Sequence, residues 1–224
     1  MMSRCIKKFV CFARSHKDNG FFIAGKEWPD NGTSSWIRPV SNEANGQIRS
    51  WEMGYKSGNT IEVLDIVSAT LTKPALNTCR REDYVLASDN RWQRKGKLTW
   101  SDLDPWLDHP ISLWEKGYHS IEGQNDIQPV TPGVSTLFLV RVKRLDLMVK
   151  PSFCGQIMIR GRFIYKGTTY DMKVTDSWLM EGICYEEPQT YSLFNPVLCV
   201  SLDKTKDDHY HKFIAAVLFE RRFS

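Results

Sequence analysis

Residues 161–174, GRFIYKGTTYDMKV, decide how the rest of the chain is read. Phe163 and Tyr165 alternate with polar neighbours, and Tyr170, Met172 and Val174 do the same beyond Lys166-Gly167-Thr168-Thr169. Period-two alternation on both sides of a glycine-bearing turn specifies a β-hairpin with one buried face. Gly161 suits a coiled strand, and Ile157 and Ile159 extend the first arm backwards. Upstream, residues 136–150 put Val140 and Val142 in one register and Leu145, Leu147 and Val149 in the other. That slip predicts a β-bulge or strong bend. Downstream, residues 176–181 read as one helical turn, with strands over 197–202 and 210–219. The last is apolar on both faces from Phe213 and therefore central.

The first half repeats the pattern. Residues 6–13 (IKKFVCFA) and 20–25 (GFFIAG) flank the polar stretch RSHKDNG as an opening hairpin. A short strand over 35–40 carries Trp36 and Arg38, with Pro39 at its edge. Residues 60–71 (TIEVLDIVSATL) form the longest strand, with Asp65 in an apolar row of Ile61, Val63 and Val67. Thr99-Trp-Ser-Asp102 matches a capping box for a short helix through Trp106 or Leu107. Residues 117–135, rich in Gly, Pro, Asn, Gln and Ser, read as a linker dividing 1–130 from 131–224. Each half then offers about five strands and one short helix, the recipe for an OB-type barrel. The predicted fold is all-β with short helices, two tandem OB-like β-barrels, the first with a Trp-rich helical insert. An immunoglobulin-like sandwich would want about seven strands and no capped helix.

Composition excludes several classes. The chain has 224 residues, 42% of them hydrophobic, and no apolar run of about 18 residues, so no membrane span or membrane partner is expected. Residues 1–11 carry Arg4, Lys7 and Lys8 without an apolar stretch of signal-peptide length, and the expected location is cytoplasmic. The formal charge is +4, and residues 1–130 hold 17 basic and 16 acidic side chains against 13 and 10 in the remainder. Neither half is an electrostatic tail, so a polyanion site has to be a local patch. Cys5, Cys11, Cys79, Cys154, Cys184 and Cys199 lack Cys-x-x-Cys or zinc-ligand spacing and are expected to be reduced and unligated.

Three segments carry a resemblance. CFARSHKDNGFFIAG followed by SWIRPVS resembles the first module of the bacterial dual OB-containing domain family. GRFIYKGTTYDMKVTD, and LCVSLDK with HKFIAAVLF, are similar to the hairpin and closing strands of its second module. Ser35 stands where the family's third strand usually has an acidic residue, and Ser177 where a proline commonly follows Val-Thr-Asp. The resemblance implies tandem OB folds and, by analogy of fold, nucleic-acid binding.

The candidate contacts for such a ligand are basic and aromatic. Arg14, Ser15 and Lys17 with Trp36 and Arg38 can hold a phosphate while a base stacks on the indole. The bland alternative is a solvated hairpin tip, with Trp36 in the core and Arg38 paired to a carboxylate such as Asp65. Seven of the eight tryptophans fall at or before Trp114, several in polar surroundings such as Arg49-Ser-Trp-Glu52. Interleaved arginine and aromatic residues suit a single-strand face, which nominates Arg91, Trp92 and Arg94 beside Lys95 and Lys97; tryptophan is otherwise a core anchor. Lys173 is an exposed cation beside the hairpin, Tyr165 and Tyr170 are read as a cross-strand pair, and Asp176 as a helix cap.

His209 and His211 share a strand face but lack a third metal ligand, and Gly-x-Ser-x-Gly and phosphate-loop motifs do not occur. No catalytic residue, cofactor or metal is assigned. The reading is a nucleic-acid-binding protein, with single strands favoured. A protein-interaction adaptor is the alternative, and a hydrolase or nucleotide-modifying enzyme with a site between the barrels the third. Thiol titration of the denatured, anaerobically purified protein is expected to find all six cysteines free; stoichiometric zinc in the sample would contradict it.

Overall fold

The structure, a computed structural model, describes residues 4–17, 20–29, 34–42, 46–55, 57–72, 80–114, 126–129, 135–151, 157–182, 188–204 and 209–223. The chain divides into two compact units, Met1–Trp106 and Leu107–Ser224. The first contains β1 (Arg4–Lys17), β2 (Gly20–Glu27), β3 (Trp36–Val40), β4 (Asp65–Thr72), β5 (Asp83–Leu86) and β6 (Gln93–Lys97). The amino-terminal half of β1 pairs antiparallel with β4, from Arg4↔Thr72 to Val10↔Ile66. From Phe9 to Lys17 it pairs with β2, with a register shift between Cys11 and Ala13 inside that ladder. β3 lies antiparallel to β2 and parallel to β5, and β5 returns antiparallel to β4. The order 1-2-3-5-4 therefore closes on β1, which is OB topology. Gly25 permits the closure: a Cβ there would lie 2.0 Å from the Val10 carbonyl oxygen. Phe9, Cys11, Ile23, Ile37, Val67 and Leu71 fill the interior.

Three local expectations differ from the structure. Residues 14–17, expected in a hairpin tip, continue β1 and pair with residues 20–23, because polar side chains can keep the same alternation. β4 begins only at Asp65, since Leu64 adopts φ 72° and breaks the extended path. Residues 83–86 and 93–97, where the sequence reading placed no strand, form β5 and β6 on β4. The Thr99 box caps a 3-10 turn, Trp100–Asp102, followed by a second, Asp104–Trp106. There the Thr99 hydroxyl and amide both donate to Asp102 and hold its carboxyl below the usual range.

The second unit contains β7 (Ile127–Pro129), β8 (Leu137–Arg141), β9 (Arg144–Pro151), β10 (Ile157–Tyr165), β11 (Thr168–Val174), α1 (Ser177–Gly182), β12 (Gln189–Phe194), β13 (Val197–Lys204), β14 (His209–Leu218) and α2 (Glu220–Phe223). β8 and β9 are two limbs of one strand broken at Val142-Lys143, where the sequence register slips. β9 pairs with β10 and β8 with β13, while β11 lies parallel to β14, so this unit repeats the order of the first. The hairpin turn takes only Lys166 (φ 46°) and Gly167 (φ 83°), two left-handed residues that match the twist of the flanking strands. Phe163, not Tyr165, is the stacked partner of Tyr170, at 5.4 Å between ring centroids. β12, which sequence alternation did not reveal, adds an edge beyond β9. Leu113 and Trp114 pack in this core, and the Trp114 indole donates to the Ser135 carbonyl at 2.6 Å. The second unit therefore begins upstream of the linker-like composition.

Asp176 caps α1, accepting from the amides of Trp178 at 2.9 Å and Leu179 at 3.3 Å. The same buried carboxylate accepts from the Val217 amide at 2.8 Å and the Arg222 guanidinium at 2.5 Å, tying α1, β14 and α2 together. A second buried polar group surrounds Arg160, whose Nε donates to Asp171 at 2.7 Å and whose Nη2 lies 3.3 Å from Asp126. Lys212 is 1% exposed beside it, with its Nζ 5.5 Å from the centroid of the Tyr170 ring. Burial pushes the Lys212 ammonium down to about 8, against the opposing pull of Asp126. The unfolded chain therefore holds more protons than the folded one between pH 8 and 10.5, and this residue makes stability rise with pH across that window. In Lys212→Met that rise is expected to be missing from the denaturant midpoint measured against pH, whereas parent and variant curves of equal slope would refute it.

Candidate nucleic-acid interface

The basic segment from Arg91 to Lys97 starts at a cleft in the first unit and continues along β6. The cleft measures about 1270 Å³, and its lining includes Arg4, Trp51, Glu52, Asn90, Arg91 and Trp92. Trp51 sits on a 3-10 turn, Ser50–Glu52, and is 76% exposed. The turn is fixed by Glu52, whose carboxylate accepts from the Arg49 amide at 2.8 Å and the Ser41 hydroxyl at 3.1 Å. Trp92 is buried; its indole donates to the Glu52 carbonyl at 2.6 Å, and its ring meets Phe9 edge-on. Tyr55 donates its hydroxyl to Asp65 at 2.9 Å, and burial together with that carboxylate pushes the phenol above its usual range. The aromatic floor is thus held by satisfied polar ends, while the Trp51 ring stands out in solvent.

On β6, Gln93, Arg94, Lys95 and Lys97 are exposed. Arg94 donates its Nε to buried Asp65 at 2.9 Å, which ties this edge strand to the barrel while the side chain stays 48% exposed. Lys95 reaches Gln93 at 2.7 Å, and Lys97 lies 3.5 Å from Glu62. The exposed Arg91 donates to the Asn90 carbonyl at 2.9 Å. β6 holds in the open the cations that the sequence showed only as a cluster.

The hairpin group is distributed differently. Arg38 is 5% exposed, and its Nε lies 2.6 Å from the half-buried Asp83, so its carboxylate partner is Asp83 and not Asp65. A polyanion reaches that guanidinium only by displacing Asp83. Trp36 is half-buried, edge-on to Phe12, with the Lys26 ammonium 5.1 Å from its ring centroid. Lys26 is itself buried and donates to the Trp106 carbonyl at 2.7 Å. Arg14 is half-buried over the Phe21 ring and Ser15 is buried. Lys17 ends β1, and its side chain lies outside the described residues. In the second unit Lys173 is exposed on β11, Tyr165 donates to the Pro110 carbonyl at 2.9 Å, and the His211 ring stacks on Phe213. Cys11 and Cys199 are buried and Cys5 half-buried, all as free thiols. Cys79, Cys154, Cys184 and the His209 side chain lie outside the described residues. Among the described residues no cluster of three metal-ligating side chains occurs, and no helix is long and apolar enough to cross a membrane.

Trp51 is the residue that sequence reasoning left out of its site. Its signal was local: an indole between Arg49-Ser50 and Glu52, in no apolar alternation.

Two barrels of the same strand order, each closed by a bent first strand, make this a tandem OB-fold protein. The dual OB-containing domain family matches residues 7–217, and the chain belongs to that family. No curated protein matches the chain. Among solved structures, the tetrameric p202 HIN2 is similar over 98% of this chain and 96% of its own, at 10% identity and a TM-score of 0.31. The Ifi202 HINa domain in complex with 20bp dsDNA is similar over 94% of each chain, at 6% identity and a TM-score of 0.28.

The burial of Arg38 and the exposure of Arg91 have separable consequences for stability. Arg38→Ala leaves Asp83 without its partner and is expected to cost about 3–5 kcal/mol, whereas Arg91→Ala is expected to stay within about 0.5 kcal/mol. Denaturation followed by tryptophan fluorescence reads this directly, because six of the eight tryptophans lie at or before Trp106. Equal stability of the two variants would contradict the assignment.

Proposed function

We propose that the protein binds nucleic acid, single strands in preference to duplex, with the first unit as the principal surface. The observation that carries this reading is one continuous segment, residues 88–97, that forms a wall of the aromatic cleft and then the exposed cationic strand β6. Lys95, Lys97 and the exposed part of Arg94 supply attraction for phosphates, which is independent of sequence. Trp51 supplies an aromatic face, and stacking tolerates any base. An unpaired strand offers both phosphates and base faces, whereas a duplex offers phosphates and base edges but keeps its base faces inside the stack. In the same reading Arg14, Ser15, Lys17, Trp36 and Arg38 line or support the opening hairpin as a secondary contact, Trp92 supports the cleft from below, and Lys173 is the second unit's contribution. No cofactor enters.

A protein-interaction role has its own support in the second unit. β12 is an edge strand whose Tyr191 and Phe194 are 44% and 69% exposed, a template on which an extended peptide could add a strand.

Anisotropy titrations of a labelled single strand and its duplex at two salt concentrations test the nucleic-acid reading. Lys95→Glu with Lys97→Glu is expected to weaken single-strand binding and to flatten the dependence of log K on log salt by about 0.7 for each phosphate that is no longer neutralised. A parent protein that binds neither strand nor duplex at low salt would sink the reading.

A further inference from the structure

We infer that the cleft of the first unit takes one unpaired nucleotide, its base stacked on Trp51 and its phosphate at Arg91. The inference rests on the nucleic-acid reading and adds what that cleft recognises.

A tryptophan left 76% exposed forgoes most of the burial its ring could gain. Here it is also held in place from below. The turn that carries it is closed by the Glu52 carboxylate on the Arg49 amide at 2.8 Å and by the Met53 amide on the Ser50 carbonyl at 3.3 Å. Met53 beyond it is buried, so the turn is anchored in the core while the indole faces outward. The opposite parts of the lining are equally fixed: Trp92 and Tyr55 have their polar atoms satisfied inside, and Asn90 accepts the Thr70 amide at 2.8 Å through its oxygen. That leaves the Asn90 amide nitrogen as a donor for the edge of a base.

Charge sets how many phosphates can enter. Arg4 lies 2.9 Å from Asp89, and the Glu52 carboxylate repels anions from the floor. Arg91 is the lining cation with no carboxylate partner among the described residues, and it donates only to a backbone carbonyl. One cation beside the single carboxylate of the lining, Glu52, suits a single phosphate and does not suit a tracked backbone, which belongs to β6. The volume of about 1270 Å³ exceeds the roughly 300–1,000 Å³ typical of small-ligand sites. A nucleotide fits with room for its connection to the strand. A paired base keeps both faces inside its stack, so only an unpaired one can lie on Trp51.

The test uses the full chain and four probes: adenosine monophosphate, a labelled single-stranded DNA, the same strand with abasic positions, and its duplex. Trp51→Ala is expected to weaken single-strand binding roughly tenfold, with Trp51→Phe retaining part of the affinity. Neither should shift the melting temperature, since the ring is exposed. Adenosine monophosphate should quench tryptophan fluorescence in the parent and not in Trp51→Phe, and Arg91→Ala should lower its affinity. The abasic strand should be insensitive to Trp51→Ala. If Lys95→Glu weakens the strand while Trp51→Ala binds like the parent, the cleft assignment is wrong and nucleic-acid binding stands. If no strand binds but the nucleotide still quenches through Trp51, the nucleic-acid reading fails and the cleft is a site for free nucleotide. A duplex bound with the same dependence on Trp51 also overturns the requirement for an unpaired base.

Discussion

A five-stranded sheet keeps two open edges unless its first strand bends far enough to pair on both sides. Every other feature of each unit depends on that bend. In the first unit β1 pairs with both β4 and β2 at Phe9 and Val10, and shifts register between Cys11 and Ala13 as it continues along β2. The approach is so close that only a residue without Cβ fits at position 25. In the second unit the chain breaks outright at Val142-Lys143, and β8 and β9 share the work of one strand. Closure removes the open edges of the five-stranded barrel itself, while β6 and β12, added outside it, each keep one among the described residues. It also fixes where strand ends and connections emerge, and so where a cleft can form.

Buried carboxylates then hold the additions to each barrel. Asp65 takes the Tyr55 hydroxyl, the Glu62 amide and the Arg94 guanidinium, and so fastens β6 and the floor of the cleft to the start of β4. Asp176 does the same for α1, β14 and α2. A buried carboxylate is tolerable only when several donors surround it, so each of these is costly to disturb by halves. The exposed cations of β6 are therefore placed by a buried carboxylate, through the ion pair of Asp65 with Arg94.

How much of this was legible in the sequence follows from what each signal measures. The hairpin at residues 157–174 and the slip after Val142 were readable because apolar alternation reports a buried face directly. β5 and β12 were not, since each is short and β12 is almost wholly exposed, leaving no alternation to see. β6 was visible only as a charge cluster, because it carries no apolar side chain to mark a buried face. Thr99-Trp-Ser-Asp102 gave the cap correctly but not the helix, since capping signals mark a start and say nothing about length. Asp176 was readable as a cap, yet its grip on Arg222 joins residues 46 positions apart and has no local signature.

The same limit explains the cations. Arg38, Lys26, Arg94 and Arg91 are alike in composition, but only the fold separates those with internal duties from those facing solvent. Arg38 and Lys26 are spent inside, on Asp83 and the Trp106 carbonyl. Arg94 is divided, its Nε on Asp65 and half of its side chain in solvent. Arg91, Lys95 and Lys97 remain at the surface, within seven residues of one another. A formal charge of +4 over 224 residues gives little long-range field, and what field there is falls away within about 10 Å at ordinary salt. Attraction for a polyanion therefore has to come from a short local run of cations, and recognition has to come from something that salt does not screen. In the nucleic-acid reading proposed above, the run supplies the first, and an exposed indole on a fixed turn lining the same cleft as Arg91 supplies the second.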